Sequence, residues 1–286
     1  MTNIDQFESI FKSAAKTPFE FVPVHTRSML LVMDAEGDTV DWYRARVERF
    51  LKSMGDRAPA DIYVLERGEL GTVSGLLEAV DRYAVDLVCT YRNLRIPATE
   101  HPYSLGVYVD VLSQVASAPL LLLPRPEVLE HQDDLLQNTR EVMAVTDNLT
   151  GDHRLVNYAA HFTAAGGKLI LSHIEDMIVF ERYMDVISKL PAIETETARH
   201  DVLEQLLKEP RDYIASCRKA LEEANHRVDV GEIVRLGKRL DDYKALIAEL
   251  GIDLIVLHTK DADQLAMHGY AYPLAVELRT VPLLLL

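Results

Sequence analysis

The chain echoes itself. Val85-Asp-Leu-Val-Cys-Thr90 is followed by Ala118-Pro-Leu-Leu-Leu-Leu123, and Ile252-Asp-Leu-Ile-Val-Leu257 is followed by Val281-Pro-Leu-Leu-Leu-Leu286. Each is an aliphatic run of strand length. The stretches before the two Asp-Leu runs, 76–83 and 243–250, carry apolar residues at helical spacing. Further upstream, Ile62-Tyr-Val-Leu-Glu-Arg-Gly68 and Glu232-Ile-Val-Arg-Leu-Gly237 read as matching short strands that end in glycine turns. Both halves therefore close with strand, helix, strand, helix, strand. Near-continuous aliphatic strands belong to a parallel sheet covered on both faces by helices. Right-handed crossovers wind such units into an open, doubly wound α/β sheet. At roughly 100–200 residues per domain, 286 residues make two domains.

The second half opens with Val142–Asp147, a strand ending in an acid. A helix over 155–162 follows, with Gly166-Gly167 as its C-cap, and then a strand over 168–173. The first half offers Met29–Asp34, again a strand ending in an acid, and a helix over 42–51. Residues 1–28 do not map onto the second half, so the first copy is expected to lack an element, and whether 19–24 is a strand stays open. The segment 174–227 is longer than its counterpart. It reads as helices over 180–190, 202–207 and 211–225, punctuated by Pro191 and Pro210. A proline-flanked linker over 124–139, with a short helix at 128–137, divides domains over 1–126 and 140–286.

Composition narrows the function. A net charge of −15 repels phosphate backbones and anionic lipid surfaces, so nucleic acid is not an expected partner. No apolar run approaches the roughly 18 residues of a membrane span, and the first residues lack the apolar core of a signal peptide. Cys89 and Cys217 form no CxxC pair, which suits a reducing cytoplasm. The histidines show no metal-ligand spacing, and no Gly-x-Ser-x-Gly elbow is present. Neither a metal site nor an enzyme is expected.

The succession of strand-Asp, helix-Gly-Gly, strand-His, long helical stretch, strand-Gly, helix, Asp-Leu-Ile-Val strand, loop, helix and Val-Pro-Leu-Leu-Leu strand resembles the universal stress protein family. The likeness covers about 140–286 closely and 29–124 loosely. It implies a five-stranded, flavodoxin-like (Rossmann-like) domain in each half, with the two packed about a pseudo-twofold axis through Leu120–Leu123 and Leu283–Leu286. Nucleotide-binding members carry a glycine loop after the Asp-Leu-Ile-Val strand, because glycine lets backbone N–H groups approach phosphates. Here the first two glycine positions fall on His258 and Asp261, and the third on Ala271, or on Gly269 in a loop two residues shorter. In the first half they fall on Tyr91, Leu94 and Ser104, with Gly106 nearby. Only the strand-end acids, Asp34 and Asp147, are kept.

The resemblance thus implies a non-enzymatic stress-response or regulatory protein with a degenerate nucleotide pocket, acting by ligand sensing or protein contact. Two alternatives stand beside it. One is a binder of an adenine nucleotide, the only cofactor in view, through the second half. The other is an accessory regulator of a membrane transporter. The candidate pocket joins Thr146, Asp147 and Asn148 at one strand end to His258, Thr259, Lys260 and Asp261 at the next, where doubly wound sheets bind ligands. The bland readings of these segments are a turn whose Asp152 caps the next helix and a loop ion pair at Lys260. Likewise His268 is either a titrating group or part of a loop feeding a helix with Pro273 in its first turn. A homodimer is the expected assembly, with 174–227 either covering a pocket or joining two chains.

Overall fold

Ser28–Val32 (β1), Asp61–Leu65 (β2), Leu87–Tyr91 (β3) and Leu120–Leu123 (β4) are the strands of the first half. Asp38–Lys52 (α1), Val73–Tyr83 (α2) and Val107–Val115 (α3) connect them, and Pro126–Leu129 (α4) follows. The second half contains Glu141–Val145 (β5), His153–Phe162 (α5), Gly167–Asp176 (β6), Met177–Ile187 (α6) and Thr195–Glu223 (α7). It ends with Val228–Gly237 (β7), Arg239–Leu250 (α8), Leu254–Leu257 (β8), Ala271–Glu277 (α9) and Leu283–Leu285 (β9). The computed structural model describes residues 18–96, 103–146, 148–259 and 271–286.

The nine strands of the described residues join one sheet in the order β2-β1-β3-β4-β9-β8-β5-β6-β7. Every pairing is parallel except β4 with β9, where Leu120, Leu121 and Leu122 face Leu285, Leu284 and Leu283 in antiparallel register. The two leucine runs therefore meet as the sequence led us to expect, and both are fully buried. Strands β3, β4, β8 and β9 are buried at every residue, as a sheet covered on both faces requires.

The repeated Asp-Leu has the same task in both halves. The Asp86 carboxylate accepts the N–H groups of Arg27 and Ser28 (2.8 and 2.9 Å), and the Asp253 carboxylate those of Arg140 and Glu141 (3.0 and 2.9 Å). Each aspartate thus fixes the start of the strand beside its own. The prolines match too: the Pro119 and Pro282 carbonyls each accept a backbone N–H, from Val88 and Ile255, at 3.0 Å.

The halves differ in strand number. By sheet position β2 lies beside β1 as β6 lies beside β5. The sequence match of 62–68 with 232–237 therefore does not hold in space. Among the described residues β7 has no counterpart in the first half, which has four described strands rather than five. Residues 19–24 form no strand. Instead Phe19 lies against His153 and Tyr213, and its N–H donates to Ser216.

Three local expectations are corrected. Pro210 does not end a helix: α7 runs through it for 29 residues, with Pro210 buried along with Tyr213, Ile214, Cys217 and Leu221. Packing of that face outweighs the lost backbone donor. Thr163, not Gly166-Gly167, caps α5. Gly166 turns the chain at φ +73°, and a Cβ on Gly167 would lie 2.6 Å from the Arg140 carbonyl. The linker helix is the single turn 126–129 and does not extend to 137.

Candidate functional site

Each half of the sheet has a switch point, where successive crossovers leave in opposite directions and a crevice opens at the strand ends. In the first half it lies between β1 and β3, and in the second between β5 and β8.

The first crevice is occupied by its own side chains. Asp34 follows the end of β1, and the Tyr91 hydroxyl at the end of β3 donates to its Oδ1. The Asp34 N–H donates back to Tyr91 Oη at 3.0 Å, and the Arg95 N–H reaches Asp34 Oδ2 at 2.6 Å. Burial, then the Asp34 carboxylate, pushes the Tyr91 phenol far above its ordinary range. Arg125 sits 5.2 Å from the centre of the Tyr91 ring and ties down the loop through the Arg92 and Asn93 carbonyls (2.7 and 2.9 Å). Leu94, on the second glycine position, is buried. Gly106 is required by the chain's own packing: φ is +86°, and a Cβ would lie 2.8 Å from Asn93 Cα. Its freedom lets the loop close on itself.

In the second crevice His258 lies just beyond β8. Its Nε2 is 3.0 and 2.9 Å from the two oxygens of Asp152. Asp152 also caps α5 by accepting the Leu155 N–H at 3.0 Å, so it serves the expected turn and the crevice together. The His258–Asp152 pair spans the gap between the β8 end and the α5 N-terminus. Thr259 is buried, and its hydroxyl donates to the carbonyls of Ser113 and Leu286 (3.1 and 3.0 Å). It therefore fastens β9 to α3. The Thr146 hydroxyl closes a local turn with Asn148 (3.2 and 3.3 Å). Asp147, Lys260, Asp261, His268 and Gly269 lie outside the described residues. A hollow of about 160 Å³ between α3 and β9 is lined in part by Ser113, Arg154, Thr259 and Leu286.

Sequence reasoning reached Asp34 and His258 but missed their partners. Tyr91 was visible only as a bulky residue on a glycine position, and Asp152 only as a helix cap. Arg125 carried no signal, because it arrives from beyond β4. Among the described residues no cluster of three or more His, Cys, Asp or Glu could hold a metal, and no helix is long and apolar enough to cross a membrane.

No family model matches the chain, and no curated protein matches it. Solved structures do. A Pseudomonas aeruginosa UCBPP-PA14 protein described as of the universal stress class is similar at 12% identity and a TM-score of 0.50, over 91% of this chain and 93% of that one. A functionally unknown protein from Pseudomonas aeruginosa PAO1 is similar at 11% identity and a TM-score of 0.50, over 91% of this chain and 92% of its own. Both likenesses run across the two halves, and they establish a mostly parallel, Rossmann-like α/β fold.

Proposed function

We propose that the chain is a tandem universal-stress-type protein, with copies over 1–126 and 140–286, that acts without catalysis by sensing a ligand or contacting a protein. One observation carries this reading: both crevices are bridged by the chain's own polar side chains, Tyr91 to Asp34 and His258 to Asp152. Where an adenine would meet the strand-end acid of the first half, a buried phenol already holds it. A nucleotide would have to break that contact and leave Tyr91 buried without its partner, a cost of about 1–3 kcal/mol. The equivalent clamps at Asp86 and Asp253 support duplication of one ancestral unit. The overall acidity supports a partner other than nucleic acid.

The test is a thermal melt with ATP, ADP, AMP and cyclic dinucleotides, with and without magnesium. A specific ligand at a hundredfold excess over its Kd adds roughly 2.7 kcal/mol of stability. None of the nucleotides is expected to raise Tm. A saturable rise would replace this reading with nucleotide binding through the second half, around Thr146 and His258. The expected setting is the cytoplasm, and the expected assembly a homodimer. Since β4 and β9 pair with each other inside the chain, two chains must meet through another surface. Light scattering would then give twice 32.3 kDa. Co-purification with membranes would favour the transporter-regulator alternative.

A further inference from the structure

The two halves end their sheets differently. In the second half β6 carries β7 on its outer side, whereas among the described residues β2, in the matching position, carries no strand. The Asp61 N–H donates to the Arg27 carbonyl at 3.1 Å, and the Leu65 carbonyl accepts the Met33 N–H at 2.9 Å. Alternation along the strand then gives Asp61, Tyr63 and Leu65 to β1 and turns the backbone N–H and C=O groups of Ile62 and Val64 outward. No described group meets them. The side chains of both residues pack partly against the core, so this edge is held in shape before anything binds it.

The far edge is covered where this one is bare. From α7, Arg218 and Arg211 donate to the Val230 and Val234 carbonyls of β7 (3.1 and 3.4 Å). Edge groups left uncovered are a template for another strand. Beside them Tyr63 is 41% exposed, and its ring centre lies 5.0 Å from that of Tyr83 at the end of α2, itself 36% exposed. Asp61 opens β2 and Arg67 follows it, and neither has an ion pair among the described residues. The edge is thus acidic at its start and basic past its end.

We propose that the protein dimerises through β2, which pairs with β2 of a second copy, antiparallel, about a twofold axis at Tyr63. Two identical edges match in this register. Ile62 exchanges both its outward backbone bonds with the second copy's Val64, and Val64 does the same with the second copy's Ile62. Tyr63 meets Tyr63 on the axis as a non-hydrogen-bonded pair, the closer kind, and an aromatic pair there stabilises the ladder. Asp61 of each copy lies diagonally toward Arg67 of the other, at a spacing long side chains span. A parallel partner would instead set like ends together. The proposal rests on the homodimer expected above and names its surface.

Light scattering of the full chain over a range of concentrations reads the dimer and its dissociation constant. Tyr63→Lys sets like charges face to face on the axis and should raise that constant at least about tenfold, as should Tyr63→Glu. An equal mixture of the two variants should associate again, because Lys then meets Glu. Oxidised Tyr63→Cys should run as a linked dimer on a non-reducing gel, since opposed residues of this kind lie about 4.5 Å apart at Cα. Cys89 and Cys217 are buried, and Asp229→Cys on the exposed face of β7 should stay reduced. If the charged variants lose their fold by circular dichroism, the two cysteine variants decide alone. Unchanged dimerisation of both charged variants, a mixture that stays monomeric, or equal cross-linking of Asp229→Cys would overturn this surface while leaving a homodimer standing. A native chain that is monomeric throughout would overturn the homodimer as well.

Discussion

Acid should loosen the contact between the two halves through one buried imidazole. His161 lies in the last turn of α5, 4% exposed, with its ring nitrogen 2.7 Å from the Thr26 hydroxyl. Beside it the Arg57 guanidinium donates to the carbonyls of Ala160, His161 and Thr163 (2.9, 2.8 and 2.7 Å). Burial first, then the charges of Arg57, His226 and His25, lowers the His161 pKa from 6.5 to about 3. A base whose pKa falls on folding keeps its full stability above the unfolded value and loses it as pH drops toward the folded value. The window is therefore pH 6.5 down to about 3. By linkage, folding at pH 5 is weaker by about 2 kcal/mol from this group alone. His226, whose pKa is also lowered by burial, adds to the same trend. The assay is urea unfolding at pH 7 and pH 5 of the native chain and of His161→Gln, which can still bond Thr26 but cannot titrate. The native chain should lose about 2 kcal/mol more than the variant between the two pH values. Equal losses would refute the buried, neutral imidazole.

Three further outcomes follow from the contacts. Arg92→Met should cost about 3 kcal/mol in urea unfolding, because the Ala275 and Leu278 carbonyls that Arg92 holds from the first half (2.7 and 2.6 Å) lose their donor. Gly106→Ala should cost about 1–3 kcal/mol, read as a lower Tm, since it combines φ +86° with a Cβ 2.8 Å from Asn93 Cα. Thr259→Val keeps the shape but loses the bonds to Ser113 and Leu286, and should cost about 1–2 kcal/mol by the same assay.

The strands were legible in the sequence, those with both faces buried most plainly. β4, β8 and β9 are unbroken aliphatic runs because no residue in them meets water, and β3 is buried throughout as well although it carries Cys89, Thr90 and Tyr91. Their order of pairing was less visible. β2 and β7 each end near a glycine and each precede a helix, so they look equivalent along the chain, and both are edges of the sheet, yet β2 pairs directly with β1 whereas β6 stands between β7 and β5. Only the hydrogen-bonding partner distinguishes them, and that is a long-range property. Pro210 misled for a related reason: a local rule predicts a break, while the buried face of Tyr213, Ile214 and Cys217 holds α7 together from outside it. At the crevices, the acid at the end of β1 was legible. The phenol that grips it comes from 57 residues later, and residue spacing says nothing about such a meeting.

The seam between β4 and β9 carries the whole arrangement, and a cross-link reads it directly. Leu122 and Leu283 stand opposite each other, and opposed antiparallel residues lie about 4.5–5.5 Å apart at Cα, within reach of a disulfide. Oxidising the double variant Leu122→Cys, Leu283→Cys should give a bond within one chain, with two free thiols lost and no dimer on a non-reducing gel. The pair Leu122→Cys, Leu285→Cys, displaced by two residues, should stay reduced. Bonds only between chains, or equal closure of the displaced pair, would contradict the single sheet.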